Sequence, residues 1–210
     1  MSIDQTDVNG AVQVEQRAPS RARDLPKQAQ VLGQEPAVVW LTGLSGAGKS
    51  TIARHVESEL RARGRSVATV DGDALRCGLC SDLGFSPADR EENVRRAAEV
   101  AQLMTRAGLI VIVSLISPFK EGRAQARSLF EPGQFFEAYV DTPLNVAEAR
   151  DPKRLYSNAR SGNIDQFTGL DSPYERPDSP EIELDTVAHT PGECAELVIT
   201  ALIRGGRIAG

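Results

Sequence analysis

Cysteine is scarce in this 210-residue chain, occurring only as Cys77, Cys80 and Cys194. Three unevenly placed thiols exclude a disulfide-framed secreted scaffold. Histidine is scarcer still, and His55 and His189 do not stand at zinc-ligand spacing from the cysteines. No stretch approaches the ~20 consecutive apolar residues of a membrane helix. A basic surplus is also missing. The formal net charge of −5 argues against a nucleic-acid binder held by a wide cationic surface, so anionic ligands must be met by local Arg and Lys clusters. The N-terminus has no signal-peptide core, and its arginines are balanced by acids, unlike a transit peptide. The expectation is a cytoplasmic protein with neither a membrane nor a nucleic-acid partner.

What is present is an ordinary globular composition, 40% hydrophobic and 25% charged, sized for one domain plus a tail. Residues 1–34 are polar and aperiodic, with Arg17, Arg21, Arg23 and Lys27 offsetting Asp4, Asp7, Glu15 and Asp24. Such a segment cannot bury enough apolar surface to offset its ordering entropy, so a disordered tail is expected. The domain then occupies residues 35–210. From Ala37, short β-branched runs alternate with helical stretches: AVVWLT before Lys49–Arg63, SVATV before a short helix, LIVIVSLI before Lys120–Leu129, FFEAYV before Leu144–Tyr156, and IELDT before Pro191–Arg204. Strict alternation predicts an α/β fold, a parallel sheet of about five strands with helices on both faces. The run Leu109–Ile116 is apolar enough to be a central strand. One long helix starts at Ser86-Pro87-Ala88-Asp89, with Ser86 as N-cap and Pro87 at the first helical position, and ends by Gly108. Arg90 and Asn93, three residues apart, share one of its faces.

The most specific local signal is Gly43-Leu44-Ser45-Gly46-Ala47-Gly48-Lys49-Ser50, followed by Thr51. It matches the P-loop pattern G-x-x-x-x-G-K-[ST] in the strand-to-helix context that the motif requires. Its backbone N–H groups and the helix N-terminus suit phosphate oxygens. Lys49 is expected at the β/γ-phosphates of ATP, and Ser50 is the candidate ligand for Mg²⁺. No N-K-x-D guanine signature is present, and the Leu109–Ile116 strand ends in serines rather than an ATPase aspartate. Carboxylates follow the second strand instead, at Asp71-Gly72-Asp73. An acid there can take or orient a substrate hydroxyl's proton, so kinase chemistry is favoured over a GTPase or motor.

With those carboxylates placed, the chain closely resembles the adenylyl-sulfate kinase family from about Val38 to Thr186. The shared stretches include GLSGAGKS, DGD-x-L-R, DLGFS-x-x-DREENVRR, ISPF-x-x-x-R, DPK-x-LY and FTGLDSPYE-x-P. The resemblance implies a phosphotransferase that moves the γ-phosphate of ATP to the ribose 3′-hydroxyl of adenylyl sulfate. It implies Asp73, Lys49 and Ser117 as catalytic groups, with Arg76, Arg90, Asn93 and Lys153 around the anion. Phe85 and Phe167 would sandwich adenine, and the main chain at Ile116 and Ser117 would touch the substrate. In some members the serine matching Ser117 is assigned a phosphorylated intermediate, although in-line transfer needs no enzyme nucleophile. A homodimer is expected, with a separate sulfate adenylyltransferase supplying substrate. Without the resemblance, Arg90 and Asn93 also read as a solvated helix face, and Phe85 and Phe167 as core residues under loops. A kinase for another small hydroxyl compound, or a nucleotide-binding regulator, are the competing functional readings.

Residues 151–177 are rich in Gly and Pro and are expected to form a mobile flap carrying Phe167 over the substrate. Departures from the family pattern cluster there: Arg154 replaces a usual Gly, Ser157 and Asn158 replace lysines, and Asp165 often replaces a cation. Ala74, Cys80 and Lys120 also depart. The Cys77-Gly78-Leu79-Cys80 run reads as chance placement, with a redox switch as the alternative.

Overall fold

The computed structural model describes residues 32–210, so most of the expected tail lies outside the described residues. Five strands run through it: β1 (Ala37–Thr42), β2 (Val67–Asp71), β3 (Ile110–Ser114), β4 (Phe135–Asp141) and β5 (Ile182–Asp185). All pairings are parallel, in the order β2-β3-β1-β4-β5. The connecting helices are α1 (Lys49–Ala62), α2 (Gly72–Arg76), α3 (Pro87–Arg106), α4 (Lys120–Ser128), α5 (Leu144–Arg150), α6 (Leu155–Arg160) and α7 (Pro191–Arg204).

Alternation along β1 explains the two layers. Ala37, Val39 and Leu41 join a core with Ile52, Val56 and Leu60 of α1 and Val198, Ile199 and Leu202 of α7. Val38 and Trp40 face the opposite way, into Val94, Ala97, Ala98 and Ala101 of α3 and Ala126 of α4. Each fully buried aliphatic side chain contributes roughly 1.5–3 kcal/mol, and β1 is buried from end to end. β1 lies between β3 and β4, and a crevice opens at the carboxyl ends of β1, β2 and β3, lined by the phosphate loop, Asp71 and Ser114. That is where open α/β sheets bind ligands.

Gln34 is buried, its Nε2 donating to the carbonyls of Ser66 (2.8 Å) and Gly108 (2.9 Å), which straps the N-terminal segment to the starts of β2 and β3. The α3 start is as expected: Ser86 Oγ accepts from the Asp89 N–H at 3.2 Å and donates to Asp89 Oδ2 at 2.7 Å. The single helix expected over Leu144–Tyr156 is instead two, α5 and α6, broken at Asp151-Pro152. Proline disfavours the α conformation of the residue before it, and Asp151 turns away at φ 16°. Among the cysteines, Cys77 is exposed and unpaired, while Cys80 is buried and its thiol is pushed up by that burial. A raised pKa belongs to an inert thiol rather than a reactive one.

Candidate active site

The phosphate loop leaves β1 at Gly43, where φ is 151° and a Cβ would stand 2.6 Å from the Val140 carbonyl oxygen. Gly46, at φ 72°, is pressed equally close to the carbonyl of Ala147. No larger residue fits either place, so the glycines let the loop wrap against β4 and α5. Lys49 folds back into its own loop, donating to the carbonyls of Gly43 (2.9 Å) and Leu44 (2.7 Å). Burial pushes its pKa down to about 7; nearby Lys153 adds to the effect, and Asp71 and Asp73 oppose it. A buried ammonium among carbonyls lacks a full counter-charge, which a phosphate chain would provide.

Ser50 Oγ donates to Asp71 Oδ2 at 2.8 Å and lies 3.2 Å from Ser114 Oγ. Asp71 and Ser114 are register partners on β2 and β3, so the sheet itself sets this group of oxygens beside the loop. A hydroxyl and a carboxylate are hard oxygen donors of the kind Mg²⁺ takes alongside phosphate. The residues present therefore fit that ion.

Across the crevice, Asp71 caps α2 by accepting from the Asp73 N–H at 2.9 Å. The neighbouring Asp73 carboxylate is thereby directed to a different task and pairs with Lys153 Nζ. Arg76 donates to the carbonyls of Leu83 (3.3 Å) and Gly84 (3.0 Å) and stacks 4.3 Å from the centre of the Phe85 ring. Arg90 bonds the carbonyls of Phe85 (2.9 Å) and Gln166 (2.7 Å). Burial lowers the pKa of both guanidiniums; Cys80, Asp89 and Asp73 oppose it at Arg76, while at Arg90 the neighbouring Arg76 adds to it and Asp171 opposes it. Phe85 stays half exposed, whereas Phe167 is buried edge-to-face on Tyr156 at 4.9 Å. Arg90 and Asn93 are not a solvated face: both are buried at 7% exposure, and Asn93 Oδ1 has no partner within the described residues.

Ser117 sits over a buried polar network. Its backbone has φ 40°, although it precedes Pro118 and would ordinarily be extended. The conformation is held from three sides. Trp40 Nε1 donates to Ser117 Oγ at 3.0 Å, and Arg123 and Thr42 donate to its carbonyl at 2.7 and 3.3 Å. Arg123 is itself buried on Glu137 (2.7 Å) and also holds the Glu175 carbonyl (2.7 Å). The Ile116 carbonyl accepts from Thr42 Oγ1 at 2.8 Å.

These residues share one cleft of about 750 Å³. Of all the candidate positions, only Gly43 and Leu44 are not in its wall. Five cations line it (Lys49, Arg76, Arg90, Arg150 and Lys153) against two acids, Asp71 and Asp73, although the whole chain is net negative. The local cluster required by the overall charge is thus found.

The family model for adenylylsulphate kinase matches residues 35–185. The chain belongs to the adenylyl-sulfate kinase family. A relative in Burkholderia ambifaria, an adenylyl-sulfate kinase, is 57% identical over 165 residues, which are 79% of this chain and 91% of the relative. The bifunctional enzyme NodQ of Azospirillum brasilense is 52% identical over 180 residues, covering 86% of this chain but 29% of NodQ. The present chain thus spans less than a third of that longer protein. A solved APS kinase from Mycobacterium tuberculosis, in complex with AMPPNP and APS, has a TM-score of 0.77 and 48% identity, covering 80% of this chain and 98% of its own.

As a member of this family the chain is a phosphotransferase, and the cleft holds residues that its motifs do not announce. Arg150, Thr186, His189, Pro191 and Cys194 line the end beyond the phosphate loop. Arg150 bridges that end, donating to the carbonyls of Ala47 (3.3 Å) and Thr186 (2.8 Å). Pro191 was legible only as a helix start, and it is one, with a full capping box between Thr190 and Glu193. Asp71 was legible as a carboxylate, but its place beside Ser50 needed the β2–β3 register. Arg123 was legible with Ser117 in ISPF-x-x-x-R, but Trp40 carried no signal as a support of Ser117, because that contact joins residues 77 positions apart through the fold.

Proposed function

We propose that ATP occupies the phosphate-loop end of the cleft and adenylyl sulfate the Asp73 end, and that the γ-phosphate passes in line to the ribose 3′-hydroxyl. The carrying observation is that the loop Gly46–Ser50 and the set Asp73, Arg76, Phe85, Arg90 and Phe167 wall one continuous cleft. In this reading Lys49 leaves the Gly43 and Leu44 carbonyls for the β/γ-phosphates and stabilises the charge that spreads over the transferring group. Arg150, Thr186, His189 and Pro191 surround the nucleoside of ATP. Ser50 and Asp71 would hold Mg²⁺, which when bound supplies charge neutralisation at the phosphates.

On the acceptor side, Arg76, Arg90 and Lys153 attract the phosphosulfate, and Phe85 and Phe167 stack on adenine. The Asp73–Lys153 pair gives the arrangement a switch. With no substrate bound, Lys153 neutralises Asp73; an arriving anion draws Lys153 away and frees the carboxylate to orient or take the 3′-hydroxyl proton. Ser117 contributes by its main chain, and its hydroxyl accepts from Trp40. Phe167 is already docked on Tyr156 in the described structure, so the flap reading requires that residues 151–177 open for exchange of ligands. Unchanged hydrogen exchange over 160–175 on adding ADP and adenylyl sulfate would remove the flap from this account. Homodimeric assembly and a separate sulfate adenylyltransferase belong to the same proposal.

The test is ADP release from ATP–Mg²⁺ by the purified chain, with and without adenylyl sulfate, and identification of the phosphorylated product. Release dependent on adenylyl sulfate, with 3′-phosphoadenylyl sulfate formed, is expected. Equal stimulation by nucleosides or sugar acids would overturn the substrate assignment.

A further inference from the structure

Thr168, the second residue of the FTGLDSPYE-x-P stretch, has been given no role so far. Thr168 is 1% exposed, and its side chain lies in the wall of the cleft. Its Oγ1 is one of four buried side-chain polar atoms with no hydrogen-bond partner among the described residues, and Asn93 Oδ1 is another. Arg65 Nε and Arg207 Nε, the other two, belong to residues outside the cleft wall. Two orphaned polar atoms thus fall in the same cavity. A buried hydroxyl left without a partner is costly, and native structures nearly always satisfy it by protein, water or ligand.

The segment carrying Thr168 is built firmly enough to present that hydroxyl in one place. Asp171 accepts from the N–H groups of Gln166 (2.7 Å) and Phe167 (2.6 Å). Thr168 bridges to Ser172, and Gly169 follows at φ 97° against Leu44 of the phosphate loop. Arg90 fixes the approach by holding the Gln166 carbonyl. Phe167 and Thr168 therefore move as a unit.

We infer that Thr168 is a specificity residue whose hydroxyl donates to a ring nitrogen of the adenine of adenylyl sulfate, beside Asn93 Oδ1. This rests on the acceptor-site reading above. The chemistry of the two orphans fits an adenine edge. The Asn93 carbonyl can only accept and suits the exocyclic amino group, while the Thr168 hydroxyl can donate and suits a ring nitrogen. A purine stacked on Phe167 would lie in the cleft whose wall also includes Asn93 and Thr168.

The experiment compares the full-length chain with Thr168→Val, which keeps shape and loses the hydroxyl, and Thr168→Ser, which keeps the hydroxyl and loses the methyl. ADP release is measured against adenylyl sulfate and against its 1-, 3- and 7-deaza analogues, alongside the Michaelis constant for ATP. Thr168→Val is expected to lower kcat/KM for adenylyl sulfate by about 5- to 100-fold. Thr168→Ser should stay near wild type, and the ATP constant should not move in either variant. With one of the three deaza analogues, the gap between wild type and Thr168→Val should vanish, because the nitrogen that the hydroxyl reads is gone. An equal gap on all three analogues, or an equal loss in Thr168→Ser, would show that Thr168 only packs. A wild type with no adenylyl-sulfate-dependent release at all would instead fail the acceptor-site reading itself.

Discussion

Arg154 offers a direct test of the backbone reasoning. It occupies the left-handed region at φ 54° and ψ 28°, at the N-cap of α6, the position where the family resemblance implies glycine. Its main-chain bonds do not depend on the side chain: its N–H donates to the Asp151 carbonyl (3.0 Å) and its carbonyl accepts from Asn158 (3.1 Å). The side chain is exposed and is absent from the cleft wall. Holding an L-residue in this region costs roughly 1–2 kcal/mol, which glycine escapes. Glycine loses about 0.5–1 kcal/mol of that gain through its greater freedom in the unfolded chain. Arg154→Gly should therefore stabilise by about 0.5–1 kcal/mol, a rise in Tm of roughly 1–4 °C for a domain this size. Arg154→Ala is the necessary partner. It removes the same charge yet stays strained, so it should gain nothing from the backbone. Equilibrium urea unfolding and calorimetry of both variants, with kcat/KM measured in parallel, separate the effects. If Arg154→Ala matched or exceeded Arg154→Gly, the left-handed strain would not be the cause, and the argument from φ would be refuted.

Other predictions follow from the same structure. Asp73→Asn should lower kcat by about 10²- to 10⁴-fold with little change in ATP binding, read by steady-state ADP release; near-normal turnover would remove Asp73 from the chemistry. Ser117→Ala should retain turnover within about tenfold, and the wild type should show no labelled phosphoenzyme, because in-line transfer needs no enzyme nucleophile. Restoring lysine at the exposed positions 157, 158 and 165 should lower the Michaelis constant for adenylyl sulfate by about 2- to 5-fold and steepen its salt dependence; no change would mark them as ordinary solvated surface. Arg96 holds Glu92 and Asp82 at 2.8 and 2.6 Å, and hydrogen bonds from Arg95 and then Arg96 hold the Glu92 carboxyl down to about 2. Depressed carboxyls contribute stability above their ordinary range and lose it as pH falls through the folded value. The urea midpoints of wild type and Arg96→Met should then differ at pH 6 and converge as the pH is lowered towards 2; a constant gap would argue against the pairing.

Much of the chain declared itself in one dimension. Strand–helix alternation with β-branched runs is a periodic, local property, so the five strands and their order of appearance were legible. So was the start of α3, where Ser86, Pro87 and Asp89 carry their capping chemistry within four residues. The phosphate loop was legible because its constraint is also local: Gly43 and Gly46 stand where no Cβ fits, and Lys49 and Ser50 follow at fixed spacing. Even the misread helix over Leu144–Tyr156 held its own correction, since Pro152 already disfavoured a helical Asp151.

Tertiary structure decided what no spacing encodes. Asp71 and Asp73 are two residues apart, yet only the register of β2 against β3 sends one to Ser50 and leaves the other for Lys153, eighty positions away in sequence. Asn93 could have been a solvated helix polar group until α3 packed it into the cleft with Oδ1 unpartnered. Trp40 reads as one more core aromatic, and becomes a support of Ser117 only because β1 and the β3–α4 loop meet. Local geometry and periodicity are written in neighbouring residues, whereas the partner of a buried polar atom is chosen by which segments the sheet brings together.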